Sequence, residues 1–115
     1  MEIEKLKRIV IEALEDIKAE DIQVLDVREI TSIADYMIVA SGKSGRQVKA
    51  LAQNVVEEAK KNGVQPIGTE GEEKAEWVLV DLGDIIIHVL KPETREFYQL
   101  EKLWASQADE VESQE

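Results

Sequence analysis

Asp81, Asp84 and His88 stand close together in EWVLVDLGDIIIHVL, the stretch from Glu76 to Leu90, and His88 is the only histidine in the chain. Clustered carboxylates can hold the two metal ions of nucleotidyl transfer, and a histidine can act as a base or a metal ligand. The spacing argues against both. Side chains alternate across a strand, so two carboxylates on one strand face stand two residues apart. Asp81 and Asp84 are three apart and flank Leu82-Gly83, and the chain contains no Asp-x-Asp. They read as turn residues whose carboxylates bond backbone amides. His88 lies among Ile86, Ile87, Val89 and Leu90. A catalytic base needs a nucleophile and an orienting partner, and a metal site would need a further ligand. His88 therefore reads as a packed, hydrogen-bonded residue whose replacement removes no catalysis. A second candidate, SGKSG from Ser41 to Gly45, precedes a helix start, where free amides can bind an anion. It has neither the Lys-Ser/Thr pair of a Walker A loop nor G-x-G-x-x-G, and it reads as a turn with an N-cap.

The elements that hold these residues follow from periodicity. From Glu2 to Ala19, Ile3, Leu6, Ile9, Val10, Ala13, Leu14 and Ile17 form one apolar stripe at helical spacing. DIQVLDV, Asp21 to Val27, reads as a strand with Ile22 and Val24 alternating with Gln23. DYMIVASG, Asp35 to Gly42, is nearly continuous in apolar residues, as a central strand is. Ser44 to Gly63 is a second helix, with Ser44 and Gln47 at capping-box spacing and Val48, Leu51, Ala52, Val55, Val56 and Ala59 on one stripe. Pro66 cannot donate a ladder bond, so VQPIGTEG is an edge strand. Trp77 to Asp81 and Asp84 to Leu90 form a hairpin turning at Leu82-Gly83, with Gly83 supplying a positive φ. Pro92 to Trp104 is a short helix or helical turn. The order α-β-β-α-β-β-β-α combines a helical crossover, which makes part of the sheet parallel, with a tight hairpin, which makes part antiparallel. The expected fold is a mixed α/β (α+β) domain, with about five strands and helices packed on the sheet.

With 115 residues and 43% hydrophobic content, the chain supports one domain. Its expected extent is residues 1–104, with residues 105–115 an acidic, disordered tail. No secretory or transit segment, no membrane span and no cysteine is read, so a soluble cytoplasmic protein without metal or cofactor is expected. The net charge of −11, from 25 acidic and 14 basic residues, repels phosphate backbones and argues against sequence-specific nucleic-acid binding. It suits a basic protein partner, and equally a charge that only keeps the protein soluble. The aromatic residues are Tyr36, Trp77, Phe97, Tyr98 and Trp104. Trp and Tyr are favoured interface anchors. Phe97 and Leu100 are expected to face the core, which turns Tyr98 outward. The residues describe a binding module rather than an enzyme.

SIADYMIVASGKSGRQVKALA, Glu70-Gly71, EWVLVDLGDIIIHVL and the R-x-FY-x-LE-x-LW series from Arg95 to Trp104 occur in this order and spacing. Together they resemble the ribosomal silencing factor family RsfS, also called Iojap-like, over nearly the whole chain. The resemblance implies a fold similar to nucleotidyltransferases without their catalytic carboxylates. It also implies binding to the large ribosomal subunit through large-subunit ribosomal protein fourteen, blocked joining of the small subunit, and lowered translation when nutrients are short. Organelle members are tied to large-subunit assembly, and members often crystallise as homodimers, which makes a homodimer a candidate here. Carried onto this chain, Trp77 and Tyr98 look like the aromatic part of the docking surface, with Leu79 extending it on the same strand face. Glu70, Glu72, Glu73 and Asp81 are candidates to meet basic groups. Arg95 either contacts the partner or holds the region of Glu101. Exposed charges of this kind contribute ~0–1 kcal/mol each.

Overall fold

The structure, a computed structural model, describes residues 2–99. The elements are α1 (Ile3–Asp16), β1 (Glu20–Asp26), β2 (Tyr36–Ser41), α2 (Gly45–Lys61), β3 (Gly68–Glu70), β4 (Trp77–Asp81), β5 (Ile85–Leu90) and α3 (Pro92–Tyr98). The five strands form one sheet in the order β1-β2-β5-β4-β3. β2 and β5 pair in parallel, and the other three pairings are antiparallel. This is the expected mixed sheet. α2 supplies the crossover, and the apolar strands β2 and β5 are central and buried along their whole length.

α1 and α2 pack together, and α2 lies on β4 and β5. Their stripes make the main core: Leu6, Val10, Ala13 and Leu14 from α1 and Val48, Leu51, Ala52, Val55 and Ala59 from α2 meet Ile38, Ala40, Val78, Val80, Ile85, Ile87 and Val89 of the sheet. The opposite sheet face carries a smaller cluster of Val27, Met37, Val39 and Leu90, with Leu25 and Trp77 against it. The Tyr36 hydroxyl donates to Glu4 at 3.0 Å, and Lys7 stands 4.5 Å above the ring, so the start of β2 is tied to α1.

Ser44 caps α2 as its spacing predicts, its Oγ accepting from the Gln47 amide at 3.2 Å. The return bond differs from a capping box. Gln47 Oε1 accepts from the Lys43 amide at 2.7 Å, and Gln47 Nε2 donates to the Ile17 carbonyl at 3.0 Å. The SGKSG loop is thus closed on itself and on the end of α1.

Three details depart from the sequence expectation. In β1 the register shifts between Glu20 and Gln23, where Asp21 has φ +50°. Val24 is 38% exposed because β1 is the outer strand, and the inward residues are Ile22 and Leu25. The hairpin turns one residue later than expected. The Leu82 N–H donates to the Ile85 carbonyl at 3.0 Å, which makes Gly83 and Asp84 the central residues, and Gly83 has φ +93°. Asp81 Oδ1 accepts from the Gly83 amide at 2.8 Å, as expected, whereas Asp84 is exposed and contributes its carbonyl to the amides of Asp35 and Tyr36. Phe97 does not face the core; it is 79% exposed. A helix turns ~100° per residue, so Phe97 lies nearly opposite Arg95, and Arg95 is the inward residue of α3. The expectations for Leu100, for a helix reaching Trp104 and for the tail at 105–115 lie outside the described residues.

Candidate functional site

The candidate surface is built on the sheet face away from α1 and α2. Trp77, Leu79 and Asp81 of β4 point to this face and are half-buried, while Val78 and Val80 point into the main core. Leu79 pairs with His88 of β5 and Glu70 of β3; Trp77 pairs with Leu90. His88 is therefore diagonal to Trp77, within reach of an aromatic side chain. The Trp77 Nε1–H donates to His88 Nδ1 at 2.9 Å.

α3 completes the cluster. Pro92 stands in its first turn, where a missing N–H costs nothing, and Gln99 ends it in the left-handed conformation. Arg95 is 8% exposed and its guanidinium donates to Ser41 Oγ at 2.9 Å. Tyr98, one turn further on the same side, lies with its ring centroid 4.9 Å from that of Trp77, and Phe97 meets Tyr98 edge-on, also at 4.9 Å. Tyr98 is 55% exposed. The outward-contact alternative for Arg95 is corrected by this geometry. Arg95 faces inward and fastens α3 to the end of β2, and through α3 it sets Tyr98 over Trp77.

The third part is the loop between β3 and β4. Gly71 has φ +88°, and a Cβ there would overlap the Trp77 carbonyl oxygen. The Gly71 carbonyl accepts from the Ala75 amide at 3.1 Å, and the Lys91 amide donates to the Glu76 carbonyl at 3.0 Å. The closed loop turns Glu73 and Glu76 to solvent, with Glu72 half-buried. An open groove of about 520 Å³ runs between Thr69, Glu72, Lys74, Glu76 and Trp77. Glu72, Glu73 and Glu76 line it against one lysine, Lys74, which makes its rim acidic.

His88 is 6% exposed, and burial pushes its imidazole down from 6.5 to about 4. An indole N–H can only donate, so Nδ1 carries no proton and the ring is neutral with its proton on Nε2. The unfolded chain takes up a proton as pH falls through 6.5, and the folded chain does so only near 4. Stability therefore falls as pH is lowered through that window, because the unfolded state binds more protons there. The melting midpoint of the native protein should drop relative to that of a His88→Leu variant between pH 6.5 and 4. Parallel curves would contradict the neutral assignment.

A family model described as ribosomal silencing factor during starvation matches residues 1–115. The chain belongs to the RsfS family. The ribosomal silencing factor RsfS of Chromobacterium violaceum is 51% identical over 107 residues, covering 93% of this chain and 88% of its own. A crystal structure from the same organism matches the fold with a TM-score of 0.90 at 51% identity, covering 91% of this chain and 88% of that one. The mouse protein named mitochondrial assembly of ribosomal large subunit protein 1 is 39% identical over 89 residues, which are 75% of this chain and 39% of the mouse protein.

In this RsfS-family chain, Trp77 and Leu79 share one strand face with the Tyr98 ring against Trp77, Glu70 stands opposite Leu79, and Glu72 and Glu73 line the groove that Trp77 also lines. Asp81 shares the strand face, but one carboxylate oxygen is engaged by the turn. Sequence reasoning left the hydrogen-bond partner of His88 unnamed. The hairpin register supplies it, and that register depends on where the turn closes. Phe97 was missed as a surface residue; its signal was its place two residues beyond an inward arginine.

Proposed function

We propose that this chain binds the large ribosomal subunit through large-subunit ribosomal protein fourteen, and that it there blocks joining of the small subunit and represses translation. Family membership supports the ribosomal role. The observation that carries the docking surface is the aromatic cluster of Trp77, Tyr98 and Phe97, left partly open beside an acidic loop. Aromatic residues in that setting are typical interface anchors, and an acidic rim suits a basic partner. Trp77, Tyr98 and Leu79 form the anchor; Glu70, Glu72, Glu73 and Asp81 form the rim. Among the described residues no helix is long and apolar enough to cross a membrane. The proposal is of a binding protein rather than an enzyme. Asp81 and Asp84 do not share a strand face, and the Asp81 carboxylate holds the turn.

The name of the mouse relative favours a second role, large-subunit assembly, at the same surface. Titration of purified large-subunit ribosomal protein fourteen with the chain tests the shared step. Saturable one-to-one binding that weakens with added salt is expected, because rim charges act through screened electrostatics. Glu70→Lys should mainly slow association. Absence of binding at micromolar concentrations would defeat the proposed partner.

A further inference from the structure

We propose that His88 is a positioning residue for docking: by accepting the indole N–H of Trp77 at Nδ1, it fixes the ring orientation in which Trp77 and Tyr98 present one apolar surface to the partner. The inference rests on the docking surface proposed above and adds the residue that shapes it. Three observations carry it. First, His88 is held rigidly. It sits inside the central strand β5, paired with Val39 on one side and Leu79 on the other, and it is almost fully buried. Second, Trp77 is the first residue of β4 and is only half-buried. Its ring packs on the cluster of Val27, Met37, Val39 and Leu90, is bonded to His88 at 2.9 Å and meets the Tyr98 ring at 4.9 Å, and α3, which carries Tyr98, is only seven residues long. Of these contacts the bond to the sheet is the directional one that fixes the ring's rotation. Third, a histidine within the run Ile85–Leu90 has no packing advantage over an aliphatic residue, and burying an imidazole is costly unless it is bonded. The bond has a consequence for the partner. The indole has one polar atom, and it is turned inward. What remains for the partner is apolar ring surface, so docking requires no hydrogen-bond acceptor opposite Trp77.

The test combines binding to purified large subunits, melting midpoints and the indole N–H signals of ¹⁵N-labelled protein. In the native protein the Trp77 indole N–H, identified by its loss in Trp77→Phe, should exchange slowly with solvent. Exchange as fast as that of a free indole would overturn the inference, whatever any variant does. His88→Leu should bind about tenfold more weakly per folded molecule, as loss of an anchor's orientation does. His88→Asn, whose side-chain oxygen can stand near the place of Nδ1, should restore most of the affinity. In a Trp77→Phe background, which has no indole N–H, His88→Leu should have no further effect on affinity. An unchanged affinity in His88→Leu, or an equal loss in the Trp77→Phe background, would overturn the positioning role while leaving the docking surface standing. Unchanged affinity in both Trp77→Ala and Tyr98→Ala would instead defeat the docking surface, and the inference with it.

Discussion

Truncation of Trp77 or Tyr98 to alanine should weaken binding to the large ribosomal subunit by about thirtyfold or more. A desolvated aromatic anchor is worth ~2 kcal/mol or more at an interface, which corresponds to that factor in the dissociation constant. The two substitutions differ in what else they cost. Tyr98 is more than half exposed on a short helix, and among the described residues its ring contacts are Trp77 and Phe97. Tyr98→Ala should therefore leave the melting midpoint close to that of the native protein. Trp77 also packs against the cluster of Val27, Met37, Val39 and Leu90, and its loss leaves His88 Nδ1 without its donor. Trp77→Ala should lower stability by ~1–3 kcal/mol, the cost of a buried polar atom left unpaired, in addition to its effect on binding. Affinity must therefore be measured on the folded fraction. A Tyr98→Ala protein with native affinity would remove Tyr98 from the interface, and native affinity in both variants would remove the aromatic cluster.

Gly71→Ala should be the most damaging single methylene addition in the described loops for which spacing is known. Two effects coincide there. Alanine in a left-handed conformation costs ~1–2 kcal/mol, and the new Cβ would overlap the Trp77 carbonyl oxygen, which is backbone and cannot rotate away. A loss of more than ~2 kcal/mol is expected, or roughly 10 °C in melting midpoint for a domain of this size. Gly83→Ala provides the contrast. Its φ is also positive, but the nearest atom to an added Cβ is the Ile67 Cδ1 at 3.4 Å, the end of a flexible side chain. Only the conformational cost of ~1–2 kcal/mol applies there. Equal midpoints for the two variants would mean that the β3–β4 loop does not press against Trp77. Because Gly71 holds that loop to the start of β4, its substitution should also weaken docking.

The secondary structure and topology were legible because each element carries one dominant signal. The stripes of α1 and α2, the nearly continuous apolar run of β2, and Pro66 before β3 each lead to the observed place. The departures arise where two signals compete. At Leu82-Gly83-Asp84 both Leu82-Gly83 and Gly83-Asp84 are acceptable turn centres, and closure by the Leu82 amide selects the second. Near the C-terminal helix the helical spacing of Phe97 and Leu100 suggested that Phe97 faces the core. The tertiary bond from Arg95 to Ser41, 54 positions away, sets the observed inner face. The bond between Trp77 and His88 is of the same kind. It depends on hairpin register and on a diagonal contact, which no local pattern records.

Sedimentation of purified large and small subunits, mixed with and without the chain, tests the proposed silencing most directly. The chain should migrate with the large subunit, and the peak of joined ribosomes should shrink as its concentration rises, with Tyr98→Ala far less effective. A chain that migrates only with the small subunit, or that saturates the large subunit while joined ribosomes form undiminished, would contradict it.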